Sequence, residues 1–380
     1  MAENAKSRMH TLHEQGQSVW LDYIRRGIIE NGELEAMIRD VDLRGVTSNP
    51  SIFEEAIGKS DDYDDDLESL AAQGAEPGEV FESLAVDDIQ RACDLFRPVY
   101  DAAEGHDGFV SLEVSPLLAE DTQRTIDEAR RLWKRVDRPN LMIKVPGTDE
   151  GIPAIEQLLA EGLNVNITLL FSLAGYERVM EAFLRALERR AEAGQPLERI
   201  ASVASFFVSR VDTAVDAELE KIVKEGGPNA EKAKGLLGRA AIDNAKMAYL
   251  RFTQVFSGER WERLKAKGAR VQRPLWASTS TKNPDYRDVI YVEELIGPDT
   301  VNTMPLATIE AFADHGETRR TVDTDLDRVR AELAALKELG IDLDRVTDQL
   351  QVEGVAKFSK SFNQMIGAVG EKLTRVAQST

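Results

Sequence analysis

The chain has 380 residues, 42% of them apolar and 30% charged, with a formal net charge of −20 at pH 7. That is apolar material for a full hydrophobic core, in one large α/β domain or two ordinary ones, while the acidic balance excludes nonspecific nucleic-acid binding, which needs a basic footprint. The lone Cys93 rules out an intramolecular disulfide, no run approaches the roughly 20 apolar residues of a membrane helix, and residues 1–17 lack the apolar centre of a signal peptide, so a cytoplasmic protein is expected.

The start reads as a terminal helix, with His10 and His13 at i,i+3 spacing and no third ligand nearby, hence no metal site. Short β-rich apolar runs then alternate with longer amphipathic ones, the pattern of βα units. Strands are expected at 18–23 and 42–47, with the basic doublet Arg25-Arg26 on a solvated helix face between them, as Arg319-Arg320 is later. An acidic helical stretch at 61–104 follows, with Pro77-Gly78 as a helix start and Pro98 as a kink. Strands at 109–114, 141–145, 164–169 and 201–208 are separated by helices at 122–135, 151–160 and 173–193. Residues 212–263 read as two or three helices broken at Gly226-Gly227-Pro228. Strands at 273–277 and 300–303 and helices at 322–339 and 352–376 complete the chain.

Near-continuous apolar strands imply a parallel sheet covered on its faces. Eight of them, each followed by helix, predict an α/β fold: a (β/α)8 TIM barrel occupying 1–380 as one domain. It would carry helical insertions near 61–104 and 212–263 and extra C-terminal helices within 322–376.

In such a barrel the active site lies at the carboxyl ends of the strands. Lys144 sits there, inside Leu141-Met142-Ile143-Lys144-Val145-Pro146. A desolvated lysine is costly, and the same desolvation favours a neutral, nucleophilic amine able to form a Schiff base. A strand-end lysine can also snorkel to water. The other strand ends supply Asp22, Asn49, Glu113, Asn166 with Thr168, Ser205 with Arg210, and Ser280 with Lys282. Each has a plainer use: Asp22 as a helix cap, Asn49-Pro50 as a turn, Asn166 and Thr168 as a satisfied core pair. Arg210 can pair with Asp212 or Asp216 at the surface, and 278–282 can be a solvated loop. Taken together, the residues have complementary chemistry. An imine needs carboxyl groups to move protons, which Glu113 and Asp22 supply. Asparagine and threonine suit the hydroxyls of a polyol, and Arg210, Lys282, Ser205 and Ser280 suit a phosphate.

Most of these residues lie in segments that resemble the transaldolases, of the longer bacterial type, with Asp22 and Lys282 at the flanks. The carriers are Gly45-Val46-Thr47-Ser48-Asn49-Pro50-Ser51-Ile52, Ser111-Leu112-Glu113-Val114-Ser115, the Lys144 strand, Asn164-Val165-Asn166-Ile167-Thr168-Leu169-Leu170-Phe171-Ser172 and Ala204-Ser205-Phe206-Phe207-Val208-Ser209-Arg210-Val211-Asp212. The resemblance implies a Schiff base on Lys144, with Asp22 as the base for carbon–carbon cleavage and Glu113, Thr168 and a water moving protons around the imine. It implies that Asn49 and Asn166 hold substrate hydroxyls and the intermediate, and that Ser205 and Arg210 bind phosphate. Lys282, with Ser280 beside it, falls where shorter members have an arginine, so a bidentate fork has become a point charge. The implied reaction moves a dihydroxyacetone unit from sedoheptulose 7-phosphate to glyceraldehyde 3-phosphate, giving erythrose 4-phosphate and fructose 6-phosphate. It needs no metal or organic cofactor, because the imine is the electron sink, and its partners are phosphorylated sugars.

Two rivals stand beside that reading. A fructose 6-phosphate aldolase would release free dihydroxyacetone, but that branch has glutamine and tyrosine where this chain has Glu113 and Phe207. A catalytically silent barrel would be expected to lose Lys144, Asp22 or Glu113, and all are present. Phe358 and Phe362, one turn apart, are expected to pack in the core. Neither the oligomeric state nor a role for the acidic stretch follows from the sequence.

Overall fold

A computed structural model describes residues 2–379, with side-chain surroundings from 8 to 375. The strands β1 (Gln17–Leu21), β2 (Gly45–Val46), β3 (Phe109–Glu113), β4 (Leu141–Pro146), β5 (Val165–Leu170), β6 (Ser202–Phe207), β7 (Arg273–Ala277) and β8 (Thr300–Met304) close in that order into a parallel barrel. This is the predicted (β/α)8 architecture. Every position of β4, β5 and β6 is buried, as expected of strands packed on side chains inside and helices outside.

The expected second strand, 42–47, shrinks to two residues. Asp42 adopts a left-handed backbone, φ 57°, that turns the chain before pairing can start. Gly45 then passes so close to its neighbours that a Cβ would lie 2.7 Å from the Phe109 carbonyl and from the Trp20 ring. At β5 the register with β6 shifts between Ile167 and Leu170, and Leu169 is left-handed at φ 59°. Asn164 precedes β5 and pins the lower end of the barrel, donating to the Pro139 and Leu141 carbonyls at 3.1 Å.

The acidic stretch folds as two helices, Asp64–Ala72 and Pro77–Ala102. The second starts at Pro77, capped by Glu76 and Glu79, and runs through Pro98 without a break. Residues 209–265 form four helices, Ser209–Glu225, Ala230–Lys234, Ala240–Val255 and Glu259–Lys265, with the expected break at Gly226 and Gly227. After Leu326–Glu338, the last helix is a single 37-residue element, Leu343–Ser379, starting well before the expected 352. Among the described residues no helix is long and apolar enough to cross a membrane.

That last helix lies over the carboxyl ends of the strands, and the acidic insertion supports it. Phe362 meets Phe81 edge-on at 5.8 Å, and Phe81 meets Phe53 at 5.6 Å. Lys372 donates to the Ser60 carbonyl at 2.6 Å and pairs with Asp64 at 3.2 Å. The insertion is itself anchored by Arg26, which corrects the expectation of a solvated doublet. Arg26 is 3% exposed; it donates to Asp88 at 2.8 Å and Asp87 at 2.9 Å and also pairs with Asp66. The Tyr63 hydroxyl donates to the other Asp88 oxygen at 2.8 Å. The partners come from helices 40 or more residues away in sequence, so the doublet alone could not reveal them. Arg320 remains exposed, paired with Asp323.

Candidate active site

The barrel mouth opens into a cavity of about 360 Å³, within the range of small-molecule sites. All of the predicted residues except Glu113 and Asn166 line it. Parallel register sets the geometry: Glu113 on β3 lies opposite Lys144 on β4, which lies opposite Asn166 on β5.

Lys144 is 4% exposed, and its Nζ donates to the Ser48 carbonyl at 3.0 Å. Glu113 Oε2 lies 3.3 Å from the same nitrogen, an ion pair rather than a well-aligned hydrogen bond. Burial pushes the Glu113 carboxyl up to about 7, with Lys144 pulling the other way. That value suits a group that gives and takes a proton near neutrality. Neither Glu113 oxygen nor the buried Thr168 hydroxyl is hydrogen-bonded by a described residue, so their capacity is unspent at the lysine.

Asp22 follows β1 and faces Lys144 from across the cavity. Its Oδ1 accepts from the Thr47 hydroxyl at 2.8 Å, and Thr47 meets Thr303 at 2.6 Å. Burial raises the carboxyl; Lys144, the Thr47 hydrogen bond and Arg210 oppose that rise. It caps nothing, because the next helix, Arg26–Glu30, begins with Arg25 at its N-cap. Asn49 has two functions: its Oδ1 caps Pro50–Lys59 through the Ile52 amide at 3.0 Å, and it lines the cavity.

Asn166 sits beneath the cavity floor, fully buried. It donates to Ser111 Oγ at 3.0 Å and accepts from Ser205 Oγ at 2.7 Å. Its partners are thus Ser111 and Ser205, not Thr168. Ser205 does reach the cavity, but its proton is directed at Asn166.

The opposite wall is cationic. Arg210 stacks over the Phe207 ring at 5.1 Å and forms no ion pair with a described residue. Asp212 and Asp216 turn away from it, Asp212 accepting from the Ala241 amide and Tyr291 at 2.7 Å, Asp216 from the Gly238 amide and Tyr286. Ser278, left-handed at φ 57°, is held to Ser209 by a 2.9 Å hydroxyl contact, which brings the loop after β7 against Arg210. Lys282 donates to Ser280 Oγ at 2.6 Å; burial and then Arg210 push its amine down.

The last helix adds Lys357 and Phe358 to the lining, which the sequence did not place at the site, and Tyr23, Glu55 and Thr303 line it too. The Phe358 ring lies 5.9 Å from Lys144 Nζ, so it packs in the core and closes the mouth at once. The one-turn spacing of Phe358 and Phe362 signalled an apolar face, but only the fold reveals what that face covers.

A parallel barrel holding a buried lysine beside a carboxyl, across from unneutralised cations, has the parts of an imine-forming enzyme for anionic carbonyl substrates. The chain belongs to the transaldolase/fructose-6-phosphate aldolase family, whose model matches residues 19–369. It is similar to the transaldolase of Parafrankia sp., with 52% identity over 367 residues, 96% of this chain and 98% of that one. The transaldolase of Acidothermus cellulolyticus is also 52% identical, over 96% of each chain. That of Mycolicibacterium smegmatis is 47% identical over 98% of this chain and 99% of its own.

Proposed function

We infer that the chain is a transaldolase, moving a dihydroxyacetone unit from sedoheptulose 7-phosphate to glyceraldehyde 3-phosphate through an imine on Lys144. The observation that carries this reading is the Lys144 amine at the cavity floor, with Glu113 at 3.3 Å behind it. Lys144 passes a proton to Glu113 and its free amine attacks the ketone carbon; the resulting carbinolamine loses water, its hydroxyl leaving with that proton from Glu113, assisted by a water on Thr168. Asp22 then takes the proton of the substrate hydroxyl two carbons from the imine. The intervening carbon–carbon bond breaks, erythrose 4-phosphate leaves, and the electron pair moves into the imine to give an enamine. Glyceraldehyde 3-phosphate adds to that enamine, Asp22 returns the proton, and hydrolysis frees fructose 6-phosphate and Lys144. Asn49 lies beside the substrate hydroxyls, Asn166 orders the floor beneath them, and Arg210, Lys282, Ser280 and Ser205 surround the phosphate. The chain acts as one catalytic domain, in a cytoplasm that keeps the buried Cys93 reduced.

Borohydride reduction in the presence of fructose 6-phosphate, followed by peptide mapping, tests the reading. A stable adduct on Lys144 is expected; folded protein with ample substrate and no adduct overturns it. Aldolase-type release is the second outcome. It would appear as free dihydroxyacetone formed from fructose 6-phosphate without an acceptor, and Glu113 and Phe207 argue against it.

A further inference from the structure

We propose that Lys357, carried on the last helix, is a third cationic ligand for the substrate phosphate and sets the preference for phosphorylated over free ketoses. This rests on the transaldolase reading and extends it to a residue outside the barrel strands. Lys357 lines the same cavity as Arg210 and Lys282. Among the described residues none of these three cations is within ion-pair distance of a carboxylate, although the chain carries 67 acidic residues against 47 basic ones. Arg210 pushes both lysine amines down: at Lys357 it is the largest influence, ahead of burial and Lys282, and at Lys282 it comes after burial. Like charges gathered in a half-enclosed site are unfavourable until an anion joins them.

The hydrogen bonds already made at the cationic wall point the same way. A phosphate dianion accepts several hydrogen bonds and donates none. Ser205 directs its proton to Asn166, and Lys282 spends a donor on Ser280. Arg210 and Lys357 therefore hold most of the unspent donors. Lys357 is also held in place from both sides. Gln351 donates to the Gly147 and Leu169 carbonyls at 3.1 and 3.0 Å, and Ser361 meets Ser51 at 2.9 Å. Between them Gly354 passes so near Leu169 that a Cβ would lie 2.8 Å from its side chain. The helix thus presents Phe358 to the lysine end of the cavity and Lys357 to the cationic end. The plainer reading is a helix-face lysine snorkelling to water, which would have no phosphate dependence.

The test uses full-length Lys357→Met and Lys357→Arg beside the unaltered protein, measuring the KM for fructose 6-phosphate, competitive inhibition by inorganic phosphate, and the thermal shift that phosphate produces. Loss of one charge-assisted hydrogen bond from a partly exposed site should raise KM and the inhibition constant about tenfold in Lys357→Met, with kcat within about twofold. Lys357→Arg should restore most of the loss. Unchanged KM and phosphate inhibition in a folded Met variant would overturn the proposal. So would an equal fall in activity on phosphorylated and free ketoses, since that marks a structural lysine. If the Met variant melts early, Lys357→Gln takes its place: weakened phosphate inhibition supports the proposal, and unchanged inhibition overturns it. If the unaltered protein forms no Lys144 adduct, the transaldolase reading is what fails. The phosphate-induced thermal shift, and its loss on substitution, still decides whether Lys357 binds the anion.

Discussion

Lys144 Nζ and Glu113 Oε2 face each other at 3.3 Å from register-paired positions of neighbouring strands, with side chains 6% and 3% exposed. Neither group is isolated in the core, and this changes what removing the lysine should do. In Lys144→Met no adduct forms, but the Glu113 carboxyl loses the charge that holds it down and rises further above its unfolded value. A carboxyl with a raised folded pKa contributes stability below its unfolded value, and that contribution is lost as pH rises through the folded one. The variant should therefore unfold at or above the unaltered midpoint at pH 6 and below it at pH 8. Adding Glu113→Leu should remove the difference between the two pH values. Thermal melts at both pH values check this, and a Met variant unstable at pH 6 would point to a structural lysine.

Glu113→Gln keeps the shape of the side chain and removes its ability to carry a proton. Proton transfer of this kind contributes roughly 10²- to 10⁴-fold. The expected result is a loss of at least about a hundredfold in the initial rate of borohydride-trapped adduct, with a much smaller change in KM. An unchanged trapping rate would transfer the role to another group.

Arg210 is half-buried over Phe207 without a carboxylate partner among the described residues, so its charge is available to a ligand. Arg210→Ala should raise KM for fructose 6-phosphate by about ten- to a hundredfold, the worth of hydrogen bonds to a charged group, and leave the affinity for unphosphorylated ketoses far less altered. Parallel kinetics on both donors decide it, and equal losses would remove Arg210 from the phosphate site.

The barrel was legible because its code is local. Runs such as Leu141-Met142-Ile143 and Phe206-Phe207-Val208 are apolar at both parities, which only a strand covered on both faces requires. Asp22, Lys144 and Arg210 stood out because a charge at the end of such a run is costly without a use. What stayed hidden depends on contacts far apart in sequence. The Arg26 network draws on Asp66, Asp87 and Asp88, and nothing in Arg25-Arg26 distinguishes a buried anchor from a solvated face. Nor does the last helix state which end of the barrel it will cover. That Asn166 would lie under the cavity, with Ser205 donating to it, depends on register to within one residue between β5 and β6, at the very place where the register slips.

The Arg26 network yields a prediction about stability rather than chemistry. The Asp88 side chain is fully buried, and burial raises its carboxyl, with Arg26 as the main opposing influence and the Tyr63 hydroxyl next. Asp66 and Asp87 are about half-exposed, so their pairing adds little. Arg26→Met leaves Asp88 with Tyr63 alone, and breaking such a pair costs about 3–5 kcal/mol. The cost should be smaller near pH 5 than at pH 8, because a protonated Asp88 has no charge to leave unpaired. Asp88→Asn in the same chain should recover part of the loss at pH 8. Because the insertion supports the last helix through Phe81 and Phe362 and through Asp64 and Lys372, amide exchange should quicken in both segments together. Denaturant melts of the single and double variants, with exchange read by mass spectrometry, are the check. A loss under about 1 kcal/mol, or faster exchange confined to the insertion, would mean that Arg26 does not hold the support of the site together.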